Sequence, residues 1–257
     1  MAEPILSTRG LTRDFGPFRA VDDVTLNIQS GSITGLIGPN GAGKSTLFNL
    51  ITGTLKPTSG SVLLTGQDVS GFSPDRLFAL GLGRTFQIPR PFGKMSVLEN
   101  VMAAPLNQTG ETVLGPFLRR SRVREEEARI RARALEVLDF VTLAPLADHP
   151  AGKISGGQMK LLELARVLMG DPSLILLDEP AAGVNPSLTR ILIEKIEELN
   201  RIGKTFVIIE HDMDFVMQHC DPVIALAEGQ VVFQGTAAEA QSNPLLLDAY
   251  LGAMADG

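Results

Sequence analysis

The chain has 257 residues, of which 44% are hydrophobic and 20% charged, and its formal net charge is -6 at pH 7. This composition is that of a packed globular protein and excludes a disordered chain. The negative net charge argues against a general nucleic-acid binder, which would have a basic surface. The apolar runs are far shorter than the about 20 residues of a membrane helix, and the single cysteine, Cys220, excludes an internal disulfide and fits a reducing compartment.

The N-terminal part of the chain predicts strands that lead into a glycine-rich loop and a helix. The first residues, Met1-Ala2-Glu3-Pro4, lack the features of a secretory signal, so we expect the chain to stay in the cytosol. Alternating apolar residues over 24–28 and a short apolar run over 33–37 predict two strands. Helical spacing predicts a helix over 44–53, and another strand is expected over 61–66.

The middle of the chain changes period and the last third returns to strands. From 96 to 169 the spacing is helical, and residues 119–140 predict an amphipathic, largely solvated helix. After that, apolar runs over 174–177 and 206–209 flank a helical stretch over 188–200, a strand-helix-strand unit whose strands are expected to pair in parallel. The helical part therefore reads as an insertion in one α/β core.

A glycine-rich segment lies between the predicted strand at 33–37 and the predicted helix. It reads Gly38-Pro39-Asn40-Gly41-Ala42-Gly43-Lys44-Ser45-Thr46 and fits the phosphate-loop pattern G-x-x-x-x-G-K-[ST]. Glycines let the backbone wrap a phosphate, and the positive end of the following helix adds to the field. Lys44 would neutralise β- and γ-phosphate oxygens and Ser45 would offer its hydroxyl to Mg²⁺. The strand-loop-helix context disfavours a chance glycine-rich turn.

Two carboxylates, Asp178 and Glu179, end the apolar run at 174–177. Ligand sites lie at the carboxyl ends of parallel strands. Asp178 suits the task of holding Mg²⁺, directly or through water, and Glu179 can polarise the water that attacks the γ-phosphate. The alternative is a strand end with two solvated acids, and the phosphate loop favours the catalytic interpretation. Together the two motifs predict nucleotide hydrolysis, but they do not indicate which process the free energy of hydrolysis drives.

A third motif narrows the class of protein. The segment Ile154-Ser155-Gly156-Gly157-Gln158 resembles the signature motif of ABC ATPases, which usually begins with leucine. The resemblance covers essentially the whole chain and assigns roles to four more residues. Gln87 resembles the Q-loop glutamine, which would bind Mg²⁺ and join the network of the attacking water. His211 resembles the switch histidine that contacts the γ-phosphate. Phe15 matches the aromatic residue that stacks on adenine, with Val21 packing nearby. Taken alone, Gln87 would be a surface residue, His211 a structural histidine and Phe15 a core residue.

The resemblance implies a fold and an assembly. The fold is α/β: a P-loop NTPase (RecA-like) core with a parallel sheet, an N-terminal antiparallel β subdomain and a helical subdomain insertion. We expect one domain over 1–257, with the core at 1–87 and 166–257 and the helical subdomain at 88–165. Cassettes of this family pack head to tail, so Ser155 and its glycines would act on ATP held by a second subunit; the alternative function for Ser155 is to cap the helix that follows. Asn185 stands where the family commonly has aspartate, and it can still hydrogen-bond across a dimer interface.

Three segments are similar to the importer subunits that serve branched-chain amino acids: 83–92, 95–101 and 243–252. This resemblance implies ATP and Mg²⁺ as cofactors, membrane permease subunits and a second cassette as partners, in a homo- or heterodimer, and a solute-binding protein as an indirect partner. It implies no nucleic acid, and a peripheral location at the cytoplasmic face of the inner membrane for a chain that is soluble alone. Urea or amide import, lipopolysaccharide export, a non-transport ABC ATPase and a cassette without hydrolysis remain alternatives.

Overall fold

The computed structural model of the chain describes residues 3–105, 120–243 and 246. The strands in this part are β1 (Leu6–Phe15), β2 (Phe18–Ile28), β3 (Ile33–Ile37), β4 (Ser59–Leu64), β5 (Gln67–Asp68), β6 (Leu82–Arg84), β7 (Leu174–Asp178), β8 (Thr205–Ile209), β9 (Val223–Ala227) and β10 (Gln230–Gly235). The helices are α1 (Lys44–Ile51), α2 (Pro74–Ala79), α3 (Val97–Met102), α4 (Arg120–Phe140), α5 (Gly156–Leu168), α6 (Pro186–Arg201), α7 (Met213–His219) and α8 (Ala237–Gln241), with 3-10 turns at Ala144–Leu146 and Ala151–Lys153. Of the C-terminal segment 243–252, all but Asn243 and Leu246 lies outside the described residues, as do Met1, Ala2 and Arg119.

The chain divides into two compact units. The first unit comprises the described residues of Met1–Arg84, Ser173–Ala181 and Ile196–Gly257. The second unit comprises those of Thr85–Pro172 and Ala182–Lys195. The predicted domain, with a helical subdomain at 88–165, stays a prediction.

The strands of the first unit form a smaller and a larger sheet. The smaller sheet is antiparallel, with strand order β2-β1-β4-β5, and the larger has the order β10-β9-β3-β8-β7-β6. In the larger sheet β9, β3, β8, β7 and β6 are parallel to one another, whereas β10 pairs antiparallel with β9. Every residue of β7 and β8 is buried, as expected for parallel strands covered on both faces. The predicted parallel pairing of 174–177 with 206–209 is present.

The core of the first unit joins both sheets to helix α1. Among its largest fully buried side chains are Leu6, Leu11, Ile28, Leu47 and Phe48. Burial of each such side chain contributes about 1.5–3 kcal/mol. Because Leu47 and Phe48 anchor α1 in this core, the start of the helix is fixed beside the carboxyl ends of β3, β7 and β8. Those ends carry the predicted site residues.

The second unit is mainly helical. Helix α4 buries Ala134, Val137 and Leu138, at the i, i+3, i+4 spacing of a helix face, whereas Leu135 is 39% exposed. Most of the rest of the helix with described side chains is exposed or half-buried, as the predicted solvated helix required. Within the described residues, no helix combines the length and the apolar character that crossing a bilayer requires.

Candidate nucleotide-binding site

The predicted phosphate loop follows β3 and contains two positions that only glycine fits. Gly38 has φ +148°, and a Cβ there would lie 2.3 Å from the carbonyl oxygen of Leu226. Gly43 has φ +97°, and a Cβ there would lie 2.4 Å from the carbonyl oxygen of Ala20. Both backbone angles are rare for residues with a side chain. The loop can therefore hold this shape only with these glycines.

Lys44 is the first residue of α1, and its ammonium group lies within the loop. The first N–H groups of a helix have no acceptor in the helix, so they are available to an anion at the positive end of the helix dipole. Nζ of Lys44 donates to the carbonyl oxygens of Gly38, at 2.6 Å, and Pro39, at 2.9 Å. Burial lowers the pKa of Lys44, while the charges of Glu179 and Asp178 raise it. The ammonium group is thus held where it interacts with both predicted acids.

Glu179 has an unusual backbone and contacts His211. Its φ is +48°, in the left-handed region that residues other than glycine rarely adopt, and its N–H donates to the carbonyl oxygen of Ile209 at 2.9 Å. Oε1 of Glu179 lies 2.7 Å from Nε2 of His211. An ionised carboxylate only accepts hydrogen bonds, so a hydrogen bond to the ionised form requires a proton on Nε2. The side chains are 15% and 43% exposed, respectively, so water reaches the pair.

Asp178 is buried and forms an ion pair with Arg84, whose role was not predicted from the sequence. Nη2 of Arg84 donates to Oδ2 of Asp178 at 3.1 Å. Nη1 of Arg84 donates to Oδ1 of Asn49 at 2.6 Å and to Oγ1 of Thr52 at 3.1 Å. Arg84 ends β6, which pairs in parallel with β7. The contact depends on the pairing of β6 with β7, which local sequence patterns do not report.

Phe15 and Val21 differ in exposure. Phe15, at the end of β1, is 43% exposed, whereas Val21 is fully buried. The guanidinium carbon of Arg13 lies 4.7 Å from the centre of the Phe15 ring, and Nη1 of Arg13 donates to the carbonyl oxygen of Lys56 at 2.8 Å. Phe15 is therefore not a core residue, and its ring is accessible to a planar base.

The signature residues lie in the second unit, at the start of α5. Ser155 is the N-cap: its Oγ accepts from the N–H of Gln158 at 3.3 Å, and Oε1 of Gln158 accepts from the N–H of Ser155 at 2.8 Å. A Cβ at Gly157 would lie 2.6 Å from Cδ1 of Leu188, whereas a Cβ at Gly156 would meet open space. The capping function considered for Ser155 is thus present, and Gly157 packs closely against Leu188.

Gln87 is exposed, also in the second unit, and the backbone around it is held by two charged residues of α5. Nζ of Lys160 donates to the carbonyl oxygen of Gln87 at 3.0 Å, and Oε2 of Glu163 accepts from the N–H of Phe86 at 3.1 Å. Lys160 is 9% and Glu163 6% exposed, and burial raises the pKa of Glu163. Neither residue was predicted from the sequence, although two charged residues at positions three apart on an otherwise apolar helix face are a signal of this function.

Asn185 caps helix α6 within its own chain. Its Oδ1 accepts from the N–H of Leu188 at 2.9 Å and from Oγ of Ser187 at 2.7 Å. Asparagine is a favoured N-cap residue, and Pro186 in the first helical position is common after one. The side chain that was considered for a dimer contact thus has a local structural function.

The structure therefore brings Lys44, Asp178, Glu179 and His211 together in the first unit, while Gln87 and Ser155 belong to the second. Among the described residues, no group of three or more His, Cys, Asp or Glu side chains could hold a metal. Magnesium needs no such group, because it commonly uses one or two protein oxygens and takes the rest from phosphates and water. The exposed Ser45 and the carboxylate of Asp178 supply oxygens of that kind.

Comparisons with known proteins agree with this geometry. The family described as "ABC transporter" matches residues 21–182. The "probable branched-chain amino acid transport ATP-binding protein LivG" of Archaeoglobus fulgidus is 40% identical over 249 residues, which cover 97% of this chain and 96% of the relative. The "high-affinity branched-chain amino acid transport ATP-binding protein LivG" of Escherichia coli is 38% identical over 253 residues, 98% of this chain and 99% of the relative.

Solved structures give the same result for the fold. A nucleotide-free ATP-binding cassette from an ABC transporter has a TM-score of 0.84 and 39% identity, covering 96% of this chain and 98% of its own. A cassette in its ADP conformation has a TM-score of 0.83 and 37% identity, covering 98% and 100%. The predicted family and the predicted α/β fold are confirmed. The chain belongs to the ABC transporter family, as one of its ATP-binding cassettes.

Proposed function

We propose that this chain is the ATP-binding and hydrolysing subunit of an importer for branched-chain or related amino acids, bound peripherally to permease subunits at the cytoplasmic face of the cell membrane. The observation that carries the ATPase chemistry is the 2.7 Å contact between Glu179 and His211 at the carboxyl end of the parallel sheet. The cargo class rests on the relatives named LivG, which are similar to this chain over nearly its full length.

The phosphates of ATP bind in the loop of residues 38–46. Lys44 exchanges its contacts with the two loop carbonyls for contacts with β- and γ-phosphate oxygens, and the N–H groups at the start of α1 donate to the same phosphates. Ser45 and Asp178 would hold Mg²⁺, which would neutralise charge on the phosphates. The ring of Phe15, supported by the buried Val21, stacks on the adenine.

Glu179 acts as the general base. Its carboxylate takes the proton of the water that attacks the γ-phosphate, and the hydrogen bond from His211 fixes the carboxylate in position for that step. His211 also contacts the γ-phosphate. General bases of this kind contribute about 10²- to 10⁴-fold to the rate.

A second cassette completes the site. The residues Ser155, Gly156, Gly157 and Gln158 of one subunit close on the ATP held by the loop of the other, where the start of α5 presents a further helix N-terminus to the γ-phosphate. Binding of ATP favours the closed dimer and moves the permease, and hydrolysis reopens it. We favour a dimer of two different cassettes, served indirectly by a solute-binding protein.

Uptake of labelled amino acids tests the cargo class. In cells that carry this chain, Lys44→Ala should abolish uptake of radiolabelled leucine while His149→Ala, an exposed histidine of the second unit, should leave it unchanged. Leucine uptake that is unaffected by Lys44→Ala, together with loss of urea uptake or of lipopolysaccharide export, would contradict the proposed cargo. Retention of all three would contradict a transport function.

A further inference from the structure

Arg84 links two parts of the site that the sequence motifs treat separately. Its Nη1 donates to Asn49 and Thr52, at the end of α1, the helix that begins with Lys44. Its Nη2 donates to Oδ2 of Asp178, at the end of β7. One planar guanidinium group thus connects the helix of the phosphate loop to the acid of the neighbouring strand.

The contact with Arg84 uses a single oxygen of Asp178. The ion pair is formed by Oδ2 at 3.1 Å, and Oδ1 is not part of it. The side chains are only 11% and 7% exposed, so solvent screens the pair little. Asp178 also interacts electrostatically with Lys44, which places its charge near the phosphate loop. A carboxylate held through Oδ2 has Oδ1 for a further ligand.

A buried ion pair is weak evidence for a role in stability, because the desolvation of two charges offsets much of their attraction. Here the geometry is the more informative feature. A guanidinium group presents several N–H donors in a rigid fork, and Arg84 uses the fork to reach three acceptors on two elements. A lysine at this position would keep the charge and lose the fork.

We propose that Arg84 is a positioning residue for the Mg²⁺ site: it holds Asp178 through Oδ2 so that Oδ1 is fixed for the metal. This inference rests on the proposed function, since it requires that Asp178 takes part in Mg²⁺ binding. Replacement of a residue that orients a metal ligand typically lowers the metal affinity about 10- to 100-fold.

The test separates nucleotide binding from the metal contribution. The affinity of the purified chain for a fluorescent ADP analogue is measured in Mg²⁺ and again in EDTA, and the ratio gives the metal-dependent gain. For Arg84→Lys we expect an affinity in EDTA within about twofold of wild type and a gain reduced about 10-fold. Arg133→Lys, which alters a surface ion pair with Glu136, is the matched control and should change neither value.

A double-mutant cycle tests whether Arg84 acts through Asp178. In an Asp178→Asn background, Arg84→Lys should cause no further loss of the metal-dependent gain. An equal loss of affinity in Mg²⁺ and EDTA, or a further loss in that background, would overturn the proposal. If thermal melting shows that Arg84→Lys is unfolded, Asn49→Ala removes an anchor of Nη1 instead and should give the same metal-specific loss. A wild-type protein that binds the analogue without any gain from Mg²⁺ would contradict the proposed function itself.

Discussion

Among the described residues, a group of charged side chains in the first unit and another in the second unit differ in the kind of partner that they contact. At the end of β7 in the first unit, Glu179 contacts the side chain of His211, and Asp178 contacts that of Arg84. On α5 in the second unit, Lys160 and Glu163 contact backbone groups of Gln87 and Phe86. The first group joins side chains that can bind, react or move a proton. The second group fixes the path of a segment of chain.

Substitutions in the two groups should therefore have different effects. Replacement of a reactive side chain in the first unit should lower the rate and leave folding intact. Replacement of Lys160 or Glu163 should loosen the backbone at 86–87.

The largest effect is expected at His211. His211→Ala removes the hydrogen bond that fixes Glu179, so kcat for ATP should fall about 100-fold while the affinity for ATP changes little. Steady-state ATPase assays give both values, and His149→Ala is the control. A large loss of ATP affinity with kcat retained would contradict the assignment of His211 to the chemical step.

A smaller effect is expected from the α5 charges. In Glu163→Ala the N–H of Phe86 loses its acceptor, so hydrogen exchange at 86–88 should accelerate about 10-fold. Hydrogen-exchange mass spectrometry measures it, with Glu136→Ala on the exposed face of α4 as the control. Unchanged exchange at 86–88 would show that Glu163 does not hold this segment.

Alanine substitutions at two N-cap serines, Ser155 and Ser96, distinguish a structural from a functional role of Ser155. Ser155 caps α5 and Ser96 caps α3 with the same pair of contacts. Alanine at either position should cost about 1 kcal/mol of unfolding free energy, measured by urea denaturation. Only Ser155→Ala should also reduce ATP turnover. Equal turnover in the two variants would leave Ser155 with its capping function alone.

The smallest predicted effect is at Cys220. Burial raises the pKa of this thiol to about 12, with the charge of Glu210 as a further cause. Because the thiolate is the reactive form, the native protein should react very slowly with a thiol reagent at pH 8 and readily in urea. Its reactivity should increase only as the pH rises toward 12. Rapid labelling of the native protein at pH 8 would contradict the observed burial.

Local sequence patterns predicted much of this structure. The continuous apolar runs at 33–37, 174–177 and 206–209 are β3, β7 and β8, because parallel strands buried on both faces need such runs. The phosphate loop was also predictable, since its glycine requirement is set by the local backbone. The cap formed by Asn185 has a local signal too, as Pro186 follows it.

Contacts between distant residues could not be predicted in the same way. Arg84 and Asp178 are 94 residues apart, and Lys160 and Gln87 are 73 residues apart. Their proximity depends on which strands and helices become neighbours, and periodicity does not report neighbours. The left-handed backbone conformation of Glu179 could not be predicted from the sequence either. The tertiary fold imposes this conformation on a residue type that does not favour it.

The most direct test of the central claim is ATP turnover by the wild-type chain and by Glu179→Gln, each with Mg²⁺, combined with size-exclusion chromatography in ATP. We predict that the wild type hydrolyses ATP, and that Glu179→Gln loses turnover by at least about 100-fold while it accumulates as an ATP-bound dimer. Turnover in Glu179→Gln equal to that of the wild type would show that Glu179 is not the general base.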